Sequence, residues 1–600
     1  MSRDTSDRVP AHDAGFSEAW DAAHWQRARQ DPVTAETVRE IFMRADDAEA
    51  QPPGSFLYST FSAFAATGDR TAYVDLYRSR RGRLADLAIA ALVDPERDTG
   101  ALADLIWSIC DEYQWALPAH LNGALDAWPD VPHAEQIDLG AAETAAALRE
   151  ITALLADRLP PLVVQRARAE VRRRVLDPFL ARTHWWESAD TNWASVCGAS
   201  VLLSGIGLLN DDEQLRVTER VVAALESYLS GFDADGVCSE GVDYWNYGFG
   251  YFAAAAEALR ENSGGAIDLW HDPTGQLSRI AAFPQSMRLS GDVVASFADT
   301  RTSASLDRGL LSRLAVRTEG ISIPSAPDKP RPGDQRYRRW VLAARGLLWN
   351  ADESSAAAVR TNDGASSTYF PHSQWLLVRD EGEVGFAARG GHNDELHNHN
   401  DVGSFILAAR GEVLLADPGL GIYDRDYFSP HRYENPATGS QGHSVPIVDK
   451  TFQRGWARDA SAQVLEIAHD PGTARFRIEF ASAYDVAGLE SLVRSWRYHD
   501  GELTIDDSYL ASRPIVVTYR YVSTSPIRVI SPGQAEIRSA GVSAELAYAP
   551  SLIAGTGTFG VEYGLLRPIY FLDLWRDAAV SGGASVTARV SRSTGSPRVR

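Results

Sequence analysis

Two hydrophobic periodicities divide the chain into a helical first part and a strand-rich second part. Up to about residue 350, apolar residues recur every three or four positions, as in amphipathic helices. In the clearest case, Asn210 precedes an apolar stripe from Val217 to Leu229, and Gly231 follows it. The cap residue, the helical period of the stripe and the glycine stop signal together predict one helix. Further helices are predicted at 101–117, 141–154, 162–180, 194–209 and 249–259.

From about Ser366 onward, the pattern changes to short apolar runs separated by Gly, Asp and Asn, which is typical of strands and turns. The predicted strands are 375–379, 384–388, 404–408, 413–416, 475–480, 503–507 and 515–519. Because no helical pattern intervenes, a large antiparallel β-sandwich is the simplest assembly. The segment 351–367, rich in Ala, Ser, Asn, Asp and Gly, is the predicted linker.

Length and charge narrow the class of protein. A chain of 600 residues is too long for one core, so we expect a helical domain at 1–355 and a β domain at 366–600. The net charge of −22 disfavours nucleic acid as a partner, because phosphate binding needs a basic face.

The polar N-terminus and the absence of a long apolar run predict a cytoplasmic protein without a membrane span. The three cysteines are too few and too widely spaced for a disulfide framework.

The candidate chemistry is concentrated in one stretch. Six of the 14 histidines lie between residues 372 and 443, and the run from His397 to Asp401 reads His-Asn-His-Asn-Asp. Two histidines followed by a carboxylate and a third histidine form a ligand set that zinc prefers. If the run is extended, His397 and His399 point to the same face. The alternative is a set of polar loop residues that only satisfy one another.

Several motifs around this stretch resemble the heparinase II/III-type polysaccharide lyases. The resemblance covers roughly residues 100–600, although only these motifs match the family pattern closely. They are LHNHNDVGSF at 396–405, LADPG at 415–419, HRYE at 431–434 and GHSVP at 442–446, together with TNWASVC at 191–197 and SEGVDYWNYG at 239–248 in the helical part.

The resemblance implies an α+β chain in which an incomplete α/α toroid precedes a C-terminal antiparallel β-sandwich domain, with the substrate bound in the cleft between them. The implied reaction is β-elimination on a uronic-acid-containing glycan. A base removes the C5 proton, the oxygen on C4 leaves, and the product carries a double bond between C4 and C5. Because the charge that develops on the carboxylate must be stabilised, the site needs preorganised donors.

The family pattern assigns roles to individual residues of this chain. Asn192 and His397 are the expected neutralisers of the carboxylate. Tyr247 is the expected base and acid, and Tyr244, one helical turn earlier, is the rival. We favour Tyr247 here because its spacing from Asn192 and Trp193 is closer to that of the family.

The same resemblance implies a metal site and further substrate contacts. His399, Asp417 and His443 match the family's ligands for a structural divalent metal, for which zinc is the expected ion. Its expected role is to orient His397. The substrate-facing candidates are Tyr433, Glu240, Tyr244, Trp193 and Arg432, of which Tyr433 is also a candidate catalytic acid.

One position departs from the family. Several relatives carry a histidine directly after the asparagine, whereas this chain has Trp193 there. Either a tyrosine then acts alone as base and acid, or His397 shares the role of base. His184 is the nearest histidine in the sequence that offers a replacement.

Other functions stay open. A glycoside hydrolase would need two carboxylates across the scissile bond, for which Glu240 and Asp243 are available. A glycan-binding or metal-binding protein without activity would yield no product at all. For a lyase, the cytoplasmic placement favours short imported oligosaccharides, with alginate, a glycosaminoglycan or another acidic glycan as the source. A sandwich edge leaves room for a homodimer, although no surface patch specifies one.

Overall fold

The computed structural model describes residues 16–121, 129–302, 304, 306–323, 338–350, 364–381, 383–563 and 565–592. The chain divides into two compact units, neither of which is continuous in sequence. The first unit comprises Met1–Gly231, Trp245–Ser278 and Asp307–Thr361, and the second comprises Phe232–Tyr244, Arg279–Leu306 and Asn362–Arg600. The predicted domain limits of 1–355 and 366–600 stay predictions. Most of the predicted linker, residues 351–363, lies outside the described residues.

Helices build the first unit, and two stretches of helix, 242–244 and 279–286, belong to the second unit. In chain order the α-helices of the described residues are α1 Ser17–Trp20, α2 Ala22–Gln30, α3 Ala35–Ala50, α4 Tyr58–Thr67, α5 Thr71–Val93, α6 Gly100–Cys110, α7 Leu139–Leu154, α8 Pro161–Val171, α9 Asp177–Ala181, α10 Asn192–Gly205, α11 Asp211–Ser230, α12 Val242–Asn262, α13 Gln276–Ser286, α14 Arg308–Arg317 and α15 Trp340–Asn350. Sequence neighbours pack together: α7 contacts α8 and α10, and α10 contacts α11. Near the other end of the unit, α15 contacts α14, α5 and α7.

Most predicted helices are confirmed, and several differ in extent. The Asn210 side chain accepts from Glu213 N at 3.0 Å, so α11 begins with the predicted cap. The helix predicted to reach residue 117 ends at Cys110. The helix predicted at 162–180 is interrupted by a π turn, Arg172–Leu176, just before Pro178, whose ring nitrogen has no hydrogen to donate.

The second unit contains the sheets. Its strands are β1 Arg288–Ser290, β2 Val293–Val294, β3 Ser366–Phe370, β4 Trp375–Arg379, β5 Val384–Arg389, β6 His392–Asn393, β7 Phe405–Ala409, β8 Glu412–Leu415, β9 Pro446–Val448, β10 Ala457–Ser461, β11 Gln463–Asp470, β12 Thr473–Glu479, β13 Leu489–His499, β14 Glu502–Ile515, β15 Val517–Ser523, β16 Ile527–Ser531, β17 Gln534–Ser539, β18 Val542–Tyr548, β19 Ile553–Tyr563, β20 Leu565–Trp575 and β21 Ala579–Arg592. All the pairings among them are antiparallel.

Three sheets share one hydrophobic core. Their strand orders are β3-β4-β5-β7-β8, β11-β12-β13-β14-β21-β18-β17-β16 and β19-β20-β15-β9. Phe386 and Phe405 of the five-stranded sheet and Phe476 and Trp496 of the eight-stranded sheet belong to the same buried cluster. Strands β4 and β5 are buried on both faces, which explains why their sequences are continuous apolar runs.

The predicted strands are confirmed apart from one. The run 515–519 was predicted as a single strand, but the structure divides it at Val516 between two sheets. At that point Val516 N donates to Asp449 Oδ1 at 2.8 Å, and Asp449 N donates to Val516 O. These bonds remove Val516 from either strand ladder, so the chain changes sheets there.

A segment from the first half of the chain covers the five-stranded sheet. Strand β1 lies so close to β5 that a Cβ at Gly385 would come within 2.1 Å of Leu289 O. Further along, the Phe297 ring packs against Trp375 with a centroid distance of 5.2 Å. Residues 293–300 are therefore fixed on the sheet of the second unit, which sets the position of Asp299.

The remaining expectations from composition concern cysteines and membrane spans. Cys110, Cys197 and Cys238 are buried and unpaired. No helix among the described residues combines the length and the apolar character that crossing a bilayer requires.

Candidate active site

His399, Asp417 and His443 come together in the second unit, as the sequence predicts. All three side chains are fully buried. One ligand atom from each lies within 4.8 Å of the other two. His399 follows the bend at 395–397, Asp417 follows β8, and His443 precedes β9, so loops between strands supply all three groups.

Each histidine of this triad uses its Nε2 atom in a hydrogen bond with a group outside the triad. Nε2 of His399 donates to Asp299 Oδ1 at 3.0 Å, and Nε2 of His443 donates to Ala437 O at 3.1 Å. The Nδ1 atoms of both histidines and Oδ2 of Asp417 are buried without a hydrogen-bond partner outside the triad, and His443 Nδ1 lies 3.2 Å from Asp417 Oδ2. Burial lowers the pKa of His399, which favours the neutral form that binds metals. Burial alone would also lower the pKa of His443, but the adjacent Asp417 carboxylate raises it. This donor set fits a divalent ion such as zinc.

Asp299 is the hub of the site. Its carboxylate is fully buried and accepts hydrogen bonds on both oxygens. The donors are His397 Nδ1 and Tyr423 Oη (2.9 Å) to Oδ2, and His399 Nε2 (3.0 Å), Arg432 Nη2 (3.0 Å) and Tyr427 Oη (2.5 Å) to Oδ1. Burial alone would raise the pKa of Asp299, but the charges of Arg432 and His397 outweigh it and hold the pKa well below its usual range.

His397 is held between two carboxylates. Nδ1 bonds to Asp299, and Nε2 lies 3.1 Å from Glu240 Oε2. Burial acts to lower the pKa of His397, but Asp299 and Glu240 overcome it and raise the pKa to about 9. The ring is therefore an imidazolium at neutral pH, which suits stabilisation of an anion better than removal of a proton.

The backbone at His397 differs from the extended run considered above. His397 has φ of 54°, in the left-handed region, and the run from His397 to Asp401 forms no strand. The two histidines nevertheless serve one group, because His397 and His399 donate to opposite oxygens of Asp299. The metal triad and His397 are thus connected through a single carboxylate.

Tyr244 lies against His397 in the second unit. The Tyr244 and His397 rings are 4.3 Å apart, and the Tyr244 hydroxyl is 2.7 Å from the Tyr423 hydroxyl. Tyr247, one turn further along α12, belongs to the first unit. There the Arg339 guanidinium lies 3.9 Å above the Tyr247 ring.

Asn192 and Trp193 are also in the first unit. Asn192 begins α10 and is buried, and this helix is tied to α12 by Ser195 Oγ, which donates to Gly248 O at 2.7 Å. Trp193 contacts the exposed Trp185 ring and the His120 ring, each at a centroid distance of 4.9 Å. His120 is thus the histidine in contact with Trp193.

Several aromatic and histidine side chains of the first unit pack internally. His184, considered as a replacement histidine, packs against Phe179 and Trp186 at centroid distances of 6.0 and 5.4 Å, and these two rings lie 5.9 Å from each other. Burial lowers the pKa of His184 to about 4. Trp186 and Trp245 are fully buried, so they serve the core.

Arg432 and Tyr433 lie in a 3₁₀ turn, Arg432–Glu434, in the second unit. Arg432 is buried, and its three nitrogens donate to Asp299, Tyr427 O and Asn398 O, which makes it a structural partner of the hub. Its expected contact with substrate stays a prediction that this geometry does not favour. The Tyr433 hydroxyl accepts from Asn398 Nδ2 at 3.1 Å.

Two glycines of the motifs pack closely around Thr300, next to the hub. Gly241 has φ of +96°, and a Cβ there would lie 1.9 Å from Thr300 Oγ1. Gly419 has φ of +66°, and a Cβ there would lie 2.3 Å from Thr300 O. Only glycine allows these close approaches, which bring the segments of Glu240 and Asp417 next to the segment that carries Asp299.

Replacement of Gly241 by alanine is expected to lower the free energy of unfolding by about 2–4 kcal/mol, because left-handed strain adds to overpacking against Thr300. Gly541→Ala is the matched control, since Gly541 has φ of +83° with open space around it. The control should lose only about 1 kcal/mol. Denaturant unfolding of both variants measures the difference, and equal losses would contradict the close packing at Thr300.

Sequence reasoning missed Asp299 and Tyr423. Asp299 is the one carboxylate in the buried segment 293–300, in a part of the chain that the sequence assigns to the helical domain. A single carboxylate among apolar residues is a signal of an internal partner, because buried charges are paired. Tyr423 follows the LADPG motif by four residues and carries no spacing that distinguishes it.

Solved structures with the same fold are polysaccharide lyases. Heparinase III matches with a TM-score of 0.61 at 12% identity, covering 95% of this chain and 93% of that one. A mutant of the heparan sulfate lyase HepC from Pedobacter heparinus matches with a TM-score of 0.57 at 12% identity, covering 100% and 94%. The chondroitin AC lyase of Streptomyces coelicolor A3, in complex with chondroitin sulphate, gives 0.52 at 14% identity, covering 97% and 83%.

These likenesses confirm the predicted fold class, an incomplete α/α toroid followed by an antiparallel β-sandwich, and the resemblance to the heparinase-type lyases. No family model matches the sequence, and no curated protein sequence does either.

Proposed function

We propose that this protein is a lyase that cleaves a uronic-acid-containing polysaccharide or oligosaccharide by β-elimination. The observation that carries the proposal is the cluster in which Tyr244 lies against an imidazolium, His397, that two carboxylates hold in place. β-Elimination needs a group that can take and return a proton beside a group that stabilises an anion. The lyases of the same fold support this reading.

In this proposal His397 faces the carboxylate of the sugar. The substrate carboxylate takes the place of Glu240 at Nε2, and Asp299 keeps the ring charged and oriented. Stabilising the charge that develops on this carboxylate makes the C5 proton removable. Asn192, the second neutraliser implied by the family, stays a prediction.

Tyr244 takes the C5 proton as a phenolate and gives a proton to the leaving oxygen on C4. An imidazolium at 4.3 Å stabilises such a phenolate by direct attraction. The geometry therefore favours Tyr244 over Tyr247, the residue that family spacing favours. Tyr433 remains a candidate for contacting the sugar, with its hydroxyl bonded to Asn398.

The metal is proposed as structural, with His399, Asp417 and His443 as its ligands. When bound, a divalent ion would balance the charge of Asp417 and fix the two histidine rings. His399 in turn donates to Asp299, which orients His397. The chemistry on the sugar belongs to Tyr244 and His397.

Purified protein is expected to contain about one divalent ion per chain, by the ligand count of a single site. Asp417→Asn should lose the ion, whereas His431→Ala, an exposed histidine of the same stretch, should retain it. Excess metal should stabilise the folded protein by about 4 kcal/mol at 1,000 times Kd, so chelation lowers Tm. Metal analysis and thermal unfolding measure both, and an unchanged metal content in Asp417→Asn would contradict the site.

The hydrolase alternative finds little support in the geometry. Of its two carboxylates, Glu240 lies at His397, and Asp243 is engaged on both oxygens by Arg301 at 2.7 and 2.9 Å. An Asp243 held in this way is not free to activate water. A cytoplasmic enzyme acting on short imported oligosaccharides remains our proposal for the setting.

Heavy-oxygen water distinguishes the reactions. The protein is incubated with acidic oligosaccharides in labelled water, and the products are analysed by mass. A lyase incorporates no label from water at the cleaved bond and leaves an unsaturated end, whereas a hydrolase adds one labelled oxygen for each bond cut. Labelled saturated products would refute the lyase proposal.

A further inference from the structure

Tyr423 links the proposed base to the hub carboxylate. Its hydroxyl donates to Asp299 Oδ2 at 2.9 Å and lies 2.7 Å from the Tyr244 hydroxyl. Because the one proton of Tyr423 goes to Asp299, Tyr244 must be the donor between the two tyrosines. The resting order of donation is therefore Tyr244 to Tyr423 to Asp299.

Tyr423 is suited to remain a phenol while its neighbour changes charge. Burial, Asp299 and Tyr244 together raise the pKa of Tyr423 well above its usual value. Its ring is fixed by packing against Tyr427 and Phe428, at centroid distances of 4.7 and 4.9 Å. Such a fixed phenol can change its hydrogen-bond acceptor by turning only its O–H bond.

We propose that Tyr423 is a positioning residue for the base: its O–H turns from Asp299 to Tyr244 when Tyr244 becomes a phenolate. The inference rests on the proposed lyase function and goes beyond it by assigning a residue that stabilises the reactive form of the base. Asp299 tolerates the change because four other donors remain on it.

The protons balance over one cycle. Tyr244 first loses its proton to solvent, and Tyr423 then donates to the phenolate oxygen. The phenolate takes the C5 proton, the electron pair of the C5–H bond forms the C4–C5 double bond, and the C4–O bond breaks. The new Tyr244 proton passes to the leaving oxygen, which restores the phenolate. Tyr423 keeps its own proton throughout.

Among the described residues of the second unit, the titratable groups next to Tyr244 include His397 and Asp243. The His397 ring lies against the Tyr244 ring, and Glu240 Oε2 lies 3.1 Å from His397 Nε2. Asp243, the preceding residue, is neutralised by Arg301. When Tyr244 becomes a phenolate, Tyr423 is the uncharged group that donates a hydrogen bond to its oxygen.

The test compares Tyr423→Phe with Tyr427→Phe. Tyr427 also donates to Asp299, so its variant reports the effect of removing a donor from the hub. For Tyr423→Phe, the rising limb of kcat/KM against pH should move up by about 1–2 pH units, with kcat/KM at neutral pH about 10- to 100-fold lower and recovered at alkaline pH. Tyr427→Phe should lower activity without moving the limb.

A substrate-free titration keeps this inference separate from the proposed function. Tyrosinate absorbance is followed against pH in the wild type, Tyr423→Phe and Tyr244→Phe. The titration step that is absent in Tyr244→Phe belongs to Tyr244, and we expect this step to move to higher pH in Tyr423→Phe. If the wild type cleaves no acidic glycan, the proposed function fails and this titration alone decides on the pair. An unmoved titration, or an equal shift of the activity limb in Tyr427→Phe, overturns the inference.

Discussion

Replacement of Asp299 by asparagine is expected to lower the free energy of unfolding by about 3–5 kcal/mol and to reduce kcat about 100- to 1,000-fold. The amide keeps the shape but removes the charge that balances Arg432, so a buried guanidinium loses its partner. His397 also loses the carboxylate that raises its pKa, and with it the charge that stabilises the substrate anion. Denaturant unfolding and single-turnover kinetics measure the two effects separately.

The matched control is Glu150→Gln in the first unit. Glu150 is a buried carboxylate that accepts from Arg345 at 2.7 Å and from Trp340 Nε1 at 2.7 Å, so its loss should destabilise by a similar amount. Its folded fraction should retain the kcat of the wild type, because the partners of Glu150, Arg345 and Trp340, belong to the first unit. An Asp299→Asn protein with wild-type kcat would show that the hub does not serve the reaction.

Removal of the Tyr244 hydroxyl is expected to have the larger effect on the reaction and a small effect on the fold. Tyr244→Phe should reduce kcat about 1,000-fold, the scale of a lost general base and acid. It should lower the free energy of unfolding by only about 1 kcal/mol, since one hydrogen bond to Tyr423 is lost. Initial rates and denaturant unfolding of the same preparation give both values.

Tyr247→Phe is the comparison that decides between the two tyrosines. The variant keeps the ring on which Arg339 lies, so its fold should be unaffected. We expect its kcat to stay far closer to the wild type than that of Tyr244→Phe. If instead Tyr247→Phe abolishes activity and Tyr244→Phe does not, the choice from family spacing is right and the cluster around His397 has another role.

The fold was largely predictable because its signals are local. The Asn210 cap, the helical stripes and the continuous apolar runs of β4 and β5 each lie within about 20 residues, where periodicity is informative. The break at Val516 was not predictable, because it depends on hydrogen bonds with Asp449, which is distant in sequence.

The candidate site was predictable only where its residues lie in recognisable motifs. His399, Asp417 and His443 stand in recognisable motifs, and the structure brings them together. Asp299 lies 98 residues before its partner His397, and nothing near it in the sequence indicates which groups it meets. The left-handed backbone of His397 could not be foreseen either, because a five-residue polar run fits an extended strand equally well.

Ultraviolet absorbance tests the central claim most directly. Purified protein is mixed with alginate, hyaluronan, chondroitin, heparan and their short oligomers, and the band of the conjugated C4–C5 double bond is followed with time. We expect that band to grow with at least one uronate glycan and to be absent in Tyr244→Phe. Accumulation of reducing ends without the band, or an unchanged band in Tyr244→Phe, would contradict it.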